Sequence, residues 1–458
     1  MTPAVLDKLR SLVGAPRVLT GVDCSPYALD GRVPEAVVLP GSQDEVAAVV
    51  TLAAEAGVPI TPWGGGTRMG MGAAPQQVGI VVGLARLSRV VEHEPGDLTA
   101  TVEAGITMSA LQAELGRRGQ WLSLDPPDPG RSTVGGVVAS NASGPRRHLY
   151  GTMRDLLLGV RVVTGEGLVV RGGGKVVKNV AGYDLPKLFV GSFGTLGVVV
   201  EATVKLRPRP DEDRLAIARF DRLKDCGEAV RALMASDLVP SALELLDAGA
   251  AAALGRGGGA TVGQGSTAGA AAAGSGPGPQ VWLGVDGIRS QVEWQCAEVE
   301  RILRPLGARE CRVLDGEGRD GAWRALAELP RRAFGEVAGV MRWAALPAQV
   351  AELAAEASAI AGRHALRAAI TAHAGVGVLR AVLAGGGDAG RVADVLGEWR
   401  ALAQGAGGHA ALEWAPLAVK ERVAVWGEPG PAYRLMKAIK DRLDPHGIMN
   451  PGRFVGEI

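Results

Sequence analysis

The chain is short of cysteine, of net charge and of long apolar runs, and each shortage closes a class of function. Cys24, Cys226, Cys296 and Cys311 are its only cysteines. They form no Cys-x-x-Cys pair, so neither an iron–sulfur nor a structural zinc site is expected within this chain. Met1–Arg10 holds no apolar signal core, so the thiols are expected free, in a reducing, cytoplasmic compartment. Lys and Arg number 49 against 48 Asp and Glu, a net charge of +1. That balance argues against a nucleic-acid surface, which needs a concentrated basic footprint. No apolar run approaches ~18 residues, so nothing is expected to span a membrane.

Glycine, by contrast, is abundant at 67 residues, and it gathers in blocks. The first is Pro62-Trp63-Gly64-Gly65-Gly66-Thr67-Arg68-Met69-Gly70-Met71-Gly72, after an apolar run, Gly57–Ile60, that reads as a buried strand. Three consecutive glycines bring backbone close to a ligand. Their N–H groups can form an anion-binding nest, with the Thr67 hydroxyl as a further donor. The natural ligand is a phosphate or pyrophosphate. The loop is not a Walker A loop, since no Gly-Lys-Ser/Thr follows, and Gly64, Gly66 and Gly70 miss the Rossmann spacing. Alone, it is evenly balanced against a glycine-rich turn with no ligand.

The second block starts at Leu124-Asp125 and continues from Arg131 through Ser132-Thr133-Val134-Gly135-Gly136 to Asn141-Ala142-Ser143-Gly144. Its small residues let backbone press on a flat or extended ligand while offering donors. Val134, Val137, Val138 and Ala139 are apolar and weigh against a mobile loop. The third block runs from Gly172 through Lys178-Asn179-Val180-Ala181-Gly182-Tyr183-Asp184 to Gly191-Ser192-Phe193-Gly194-Thr195-Leu196-Gly197.

At 458 residues, 47% of them hydrophobic, two or three domains with large cores are expected. Residues 1–33 read as a helix and an irregular arm. Residues 34–210 are taken as one domain: 34–108 alternate strand and helix, with a capping box at Ser42–Glu45 and a stop at Gly57, and 156–171 read as a hairpin turning at Thr164–Gly167. The first glycine block follows a strand end, where α/β sheets bind ligands. Residues 211–436 read as a separate α+β domain, with the Ala/Gly tract Ala248–Gly278 as a flexible insertion. Residues 437–458 form a helix and a tail ending in Asp444-Pro445-His446-Gly447-Ile448-Met449-Asn450-Pro451-Gly452-Arg453-Phe454.

The three blocks and the tail, in this order, resemble the FAD-linked oxidases of the vanillyl-alcohol-oxidase / PCMH superfamily. Within it they are most similar to the FAD-binding subunits of bacterial glycolate oxidase. Gly144-Pro145-Arg146-Arg147 before Tyr150-Gly151, and Gly407-Gly408-His409-Ala410, point to the smaller of that enzyme's two flavin subunits. The resemblance implies an α+β protein: a PCMH-type FAD-binding domain of two α/β subdomains with FAD between them, plus a C-terminal α+β substrate or cap domain. It implies that Trp63, Gly64, Gly65, Gly66, Thr67 and Arg68 take the pyrophosphate. Asp125, Ser132, Thr133, Gly135, Gly136, Asn141, Ser143 and Gly144 line the cofactor's path, Val198 approaches through backbone, and Asn450 closes over the flavin. Relatives that bind FAD covalently use His or Cys; the loop has neither, so non-covalent FAD is expected. The implied reaction is oxidation of a 2-hydroxy acid such as glycolate or D-lactate. A base takes the hydroxyl proton, hydride passes to the flavin, and a cationic side chain holds the carboxylate. The implied partners are a second flavin subunit and an iron–sulfur subunit, placing the chain in the cytoplasm, at the membrane's inner face through them.

The chain departs from the pattern at one place. Metal-using relatives carry His-Ala-Gly-Asp-Gly-Asn-x-His and a later glutamate. Here the run is His373-Ala374-Gly375-Val376-Gly377-Val378-Leu379-Arg380, so no metal is expected. Either the substrate is held without metal, or this subunit is a non-catalytic electron relay or assembly partner. His373 is a candidate base, weighed against a packed core histidine. His409 is a second candidate base, evenly balanced against a loop residue. Arg342 is a candidate carboxylate partner, weighed against a solvated strand-end arginine. Lys178 and Tyr183 are candidates for facing the flavin ring, and His148 reads as surface or partner contact. Arg380 is a candidate substitute for the metal. On one continuous strand, however, its odd spacing from His373 puts the two side chains on opposite faces, with Arg380 toward solvent. A third class, a phosphate-ligand protein without redox chemistry, is distinguished by whether the protein is yellow.

Overall fold

A computed structural model describes residues 1–75, 77–175, 183–256, 278–386 and 388–458. The chain forms two compact units. One gathers Met1–Ser143, Gly151–Arg209 and Glu428–Ile458; the other gathers Gly144–Tyr150 and Pro210–Gly427.

The first unit contains two larger sheets. In the four-stranded sheet the order is Val18–Thr20, Ala36–Val38, Ile80–Gly83, Ile60–Trp63; the last three run parallel. The arm expected to be irregular thus contributes an antiparallel edge strand, Val18–Thr20. Ser42 caps the helix Gln43–Ala56, its hydroxyl accepting from the Glu45 N–H. The Glu45 carboxylate reaches back to the N–H of Gly41, one residue before the cap. Gly57 ends the helix in the left-handed region at φ 61°. Val46, Val49, Val50 and Ala53 are buried, each valine side chain stabilising by about 1.5–3 kcal/mol. The five-stranded antiparallel sheet has the order Val90–Glu94, Thr99–Glu103, Val198–Lys205, Leu157–Val163, Val169–Gly173. Thr101 and Thr203 face each other across it, hydroxyls 3.0 Å apart.

The C-terminal tail is built into this unit. Ile60 N–H donates to Ile448 C=O and Ile60 C=O accepts from Asn450 N–H, both at 2.7 Å, so the tail forms a parallel bridge beside the strand Ile60–Trp63. The buried Lys440 ammonium donates to Thr195 C=O and Met449 C=O at 2.8 Å and pairs with Asp444 at 2.7 Å. Asp444 in turn accepts from the N–H groups of Ile448 and Met449.

The second unit is one eight-stranded antiparallel sheet with helices. Its order is Glu310–Leu314, Glu212–Arg219, Gln280–Gly287, Ala242–Leu246, Ala368–His373, Val378–Ala384, Val337–Ala344, His409–Trp414. The expectation that Ala248–Gly278 is flexible throughout fails at its start: Ala248–Arg256 is a helix. Asp247 opens it, its carboxylate accepting from Ala250 N–H, Ile370 N–H and the Ser358 hydroxyl. Ala250, Ala251, Ala253 and Leu254 are buried, so alanine here serves helix propensity and close packing at once. Residues 257–277 of the tract lie outside the described residues. The short segment Gly144–Tyr150 is held in this unit by Arg146, which pairs with Asp213 and with Asp286 (2.7 Å), while Tyr150 donates to Asp286 at 2.6 Å.

Candidate functional site

In the first unit the glycine loop follows the strand Ile60–Trp63 and packs against the second glycine block. A Cβ on Gly65 would stand 1.6 Å from Arg131 C=O, and one on Gly64 2.3 Å from the Thr133 hydroxyl. Gly66 has φ +68°, and a Cβ there would meet the Trp63 ring at 2.7 Å. Gly65 is therefore required by loop-on-loop packing. Positive φ, the other reason sequence offers for glycine, applies at Gly66 instead. Thr67 and Ser132 hydroxyls lie 3.3 Å apart, and Ser132 donates to Pro127 C=O at 2.6 Å. Thr133 caps the helix Val134–Ser140, and Gly135 lets that helix sit on Ala104, where a Cβ would come within 2.7 Å.

These loops enclose a cleft lined by Gly64–Met69, Thr133, Gly136, Ala139, Ser140, Phe193, Gly194, Asn450 and Arg453. Among the described lining residues two are arginines and none is acidic, which suits an anion. Asn450 adopts φ 44°, donates to Phe193 C=O at 2.7 Å and lies 3.3 Å from the Thr61 hydroxyl. Nearby in sequence, the buried Asn141 Oδ1 and Ser143 Oγ have no hydrogen-bond partner among the described residues. Orphaned polar atoms beside a cradle that a Cβ would fill are what a polar, extended cofactor would satisfy. Asp125 is half-buried, Gly144 is buried, and Val198 is fully buried at the start of its strand.

In the second unit, titratable residues share one face of the sheet. Glu244 is directly opposite His373, Thr371 opposite Arg380, and Arg380 opposite Arg342. Directly paired residues, and residues two apart on a strand, point to the same side. The expected separation of His373 from Arg380 is therefore corrected: a turn at Ala374–Val376 divides the run into two paired strands, and both side chains face the same way. Nor does Arg380 face solvent. It is a bidentate partner of Glu413, with Nε–Oε2 at 2.7 Å and Nη2–Oε1 at 3.3 Å, and side-chain exposures of 15% and 7%. Arg342 approaches the same carboxylate at 3.7 Å, so Glu413 offsets two arginines that would otherwise repel. Burial works against the Arg380 charge, but Glu413 and Glu244 outweigh it and hold its pKa above the ordinary value.

His373 is 8% exposed, and its Nδ1 lies 2.7 Å from Glu244 Oε1. Burial pushes the Glu244 carboxyl well above its usual range, against the pull of Arg380 and Arg147. Arg147 is supplied by the segment Gly144–Tyr150. On that segment, His148 is half-buried against Gly375, where a Cβ would stand 2.3 Å from its Nδ1; the surface reading of His148 is corrected. Burial lowers its pKa. His409 opens its strand exposed, on the same face as Arg342 two positions on, its pKa lowered by burial and then by Arg400 and Arg342. Tyr183 is 94% exposed, packed neither in a core nor in the cleft, and Lys178 lies outside the described residues.

Sequence reasoning missed Glu244, Glu413, Arg147 and Arg453. The first two carried a signal: a lone acid inside an apolar strand, as in Ala242-Leu243-Glu244-Leu245-Leu246, must find a partner if buried.

The comparisons agree with this geometry. Residues 34–173 match the FAD binding domain family and residues 209–454 match the C-terminal domain of FAD linked oxidases. The chain belongs to the FAD-linked oxidases, and FAD is its cofactor. An uncharacterized FAD-linked oxidoreductase of Mycobacterium tuberculosis is 30% identical over 98% of both chains. Glycolate oxidase subunit GlcD of Escherichia coli K12 is 28% identical over 99% of this chain and 91% of its own length. GlcD of Bacillus subtilis is 36% identical over 51% of this chain, a match spanning about half (49%) of that relative's length. Among solved structures, p-cresol methylhydroxylase superposes with a TM-score of 0.76 at 20% identity, covering 98% of this chain and 96% of that one. That likeness gives the PCMH-type fold. No helix among the described residues is long and apolar enough to cross a membrane.

Proposed function

We propose that the chain oxidises a small 2-hydroxy acid, glycolate or D-lactate, to the 2-oxo acid, as the flavin-bearing subunit of a glycolate-oxidase-type complex. The observation that carries this reading is the shared sheet face, where the His373–Glu244 pair lies diagonally next to the Arg380–Glu413–Arg342 group. With Glu244 ionised, the 2.7 Å contact is donated by Nδ1–H, and Nε2 is then the nitrogen that accepts the substrate hydroxyl proton. The guanidinium groups of Arg380 and Arg342 hold the substrate carboxylate. FAD, held by the glycine cradle, supplies the acceptor for the C2 hydride. The electrons leave through partners, a second flavin subunit and an iron–sulfur subunit.

A second reading is favoured by one feature of the same face. Arg380 is already bidentate to Glu413 and His373 already bonded to Glu244, as in a site that has become structural. In that case the chain relays electrons or assists assembly without oxidising substrate. Anaerobic mixing of the FAD-loaded chain with glycolate or D-lactate decides between them. Bleaching of the flavin band near its visible maximum, lost in His373→Gln, is the outcome expected of the first reading. An unbleached spectrum with both acids, in the isolated chain and in the complex, would leave only the second.

A further inference from the structure

The side chain of the tail residue Arg453 is enclosed by the loop that follows the three glycines. Its side chain is 3% exposed. Nη1 donates to Ala73 C=O at 2.7 Å and to Asp30 Oδ2 at 3.1 Å; Nη2 donates to Met69 C=O at 2.6 Å and to Met71 C=O. Its own carbonyl accepts from Ala73 N–H at 3.2 Å, and a Cβ on Gly72 would meet that carbonyl at 2.6 Å. Alternate carbonyls of residues 69, 71 and 73 are thus turned onto one cation. Because trans peptides set C=O and N–H in opposite directions, the intervening amides are turned away from it. Asp30 balances the charge, so the side chain acts chiefly as a fixed multi-donor template.

We propose that Arg453 is a positioning residue for the cofactor, holding the post-glycine loop in its diphosphate-accepting shape and thereby coupling docking of the C-terminal tail to FAD binding. Two further ties make the tail a unit for this purpose. The bridge at Ile60 fixes the strand that enters the loop, and Asn450 donates to Phe193 C=O, both residues lining the same cleft. A tail that orders the cradle must, by linkage, be ordered more firmly when the cradle is filled.

The test uses the full chain, stripped of FAD and reconstituted. Arg453→Met removes every donor at similar bulk, and Arg453→Lys keeps the charge but not the planar fork. Both should raise the FAD Kd, Met by about 10- to 100-fold, the ordinary range of coupling between linked sites, and Lys by less. ADP, which carries the diphosphate, should weaken in parallel with FAD, while riboflavin, which lacks it, should not. In the unaltered chain, FAD should slow protease cleavage after Gly427. The proposal is overturned if Arg453→Met binds FAD as tightly as the unaltered chain, or if riboflavin weakens as much as ADP. Where Arg453→Met fails to fold, the unaltered chain decides: tail cleavage at the same rate with and without FAD would overturn the coupling.

Discussion

Replacing Arg380 with leucine isolates the balance of charge on the sheet face. The substitution removes the guanidinium of a side chain that is 15% exposed from the carboxylate of one that is 7% exposed. Breaking one partner out of a buried ion pair costs about 3–5 kcal/mol, because a desolvated charge is left behind. Arg342 remains 3.7 Å from Glu413, so the lower end, about 3 kcal/mol, applies. All tryptophans except Trp63 and Trp121 lie in the second unit, so tryptophan fluorescence during urea unfolding reports on that unit. With urea slopes of about 1–3 kcal/mol/M, the midpoint should fall by about 1 M or more. The stranded Glu413 would hold a folded pKa above its unfolded one. Its penalty should therefore be largest at pH 8 and shrink as pH falls toward the unfolded carboxylate value of about 4.3. The double variant Arg380→Leu/Glu413→Leu removes both charges and should recover most of the loss. If Arg380→Leu shifts stability by less than about 0.5 kcal/mol at pH 8, the pair is not the desolvated unit described here. If Arg380 also holds substrate, the KM for the acid should rise in the double variant even though stability returns.

Three other outcomes are expected. Gly65→Ala should abolish FAD retention, since its Cβ would lie 1.6 Å from the Arg131 carbonyl and the two loops would have to part; a yellow, stoichiometric Gly65→Ala protein refutes the packing argument. Glu244, whose folded pKa is raised mainly by burial, contributes stability that is present below its unfolded value of about 4.3 and is lost as pH rises through the folded pKa. Urea midpoints of the unaltered chain should therefore fall from pH 5.5 to 8 more steeply than those of Glu244→Gln, and equal slopes would contradict the assignment. FAD should appear in the supernatant after acid precipitation, because the loop Trp63–Arg68 carries no His or Cys for attachment; flavin in the pellet would count against it.

The parts of the fold legible in sequence were those set by local chemistry. Ser42 and Gly57 bound their helix because capping and left-handed φ are properties of single residues. The hairpin of Leu157–Val163 and Val169–Gly173 was readable from alternation around Thr164–Gly167. The glycine cradle was readable because an unusual density of glycine demands a close approach. What was not readable depended on pairing at a distance. His373 and Arg380 look opposed along a line of sequence and become neighbours only when Ala374–Val376 turns the chain and register sets Thr371 beside Arg380. Composition misled at Ala248–Arg256, where an alanine-rich stretch found a face to bury. Arg453, in a run otherwise recognised for Asn450, gave no local sign that three carbonyls of a loop far back in the sequence would converge on it.

The first unit is interrupted in sequence by the second, and its last stretch, Glu428–Ile458, supplies Lys440, Asn450 and Arg453. During synthesis the glycine loop therefore emerges more than three hundred residues before the side chains that brace it. A chain that stops between Arg209 and Lys440 would have its cofactor walls but not their clamp. If Arg453 couples the tail to the cradle, FAD should bind firmly only to chains in which Glu428–Ile458 has been made and has docked.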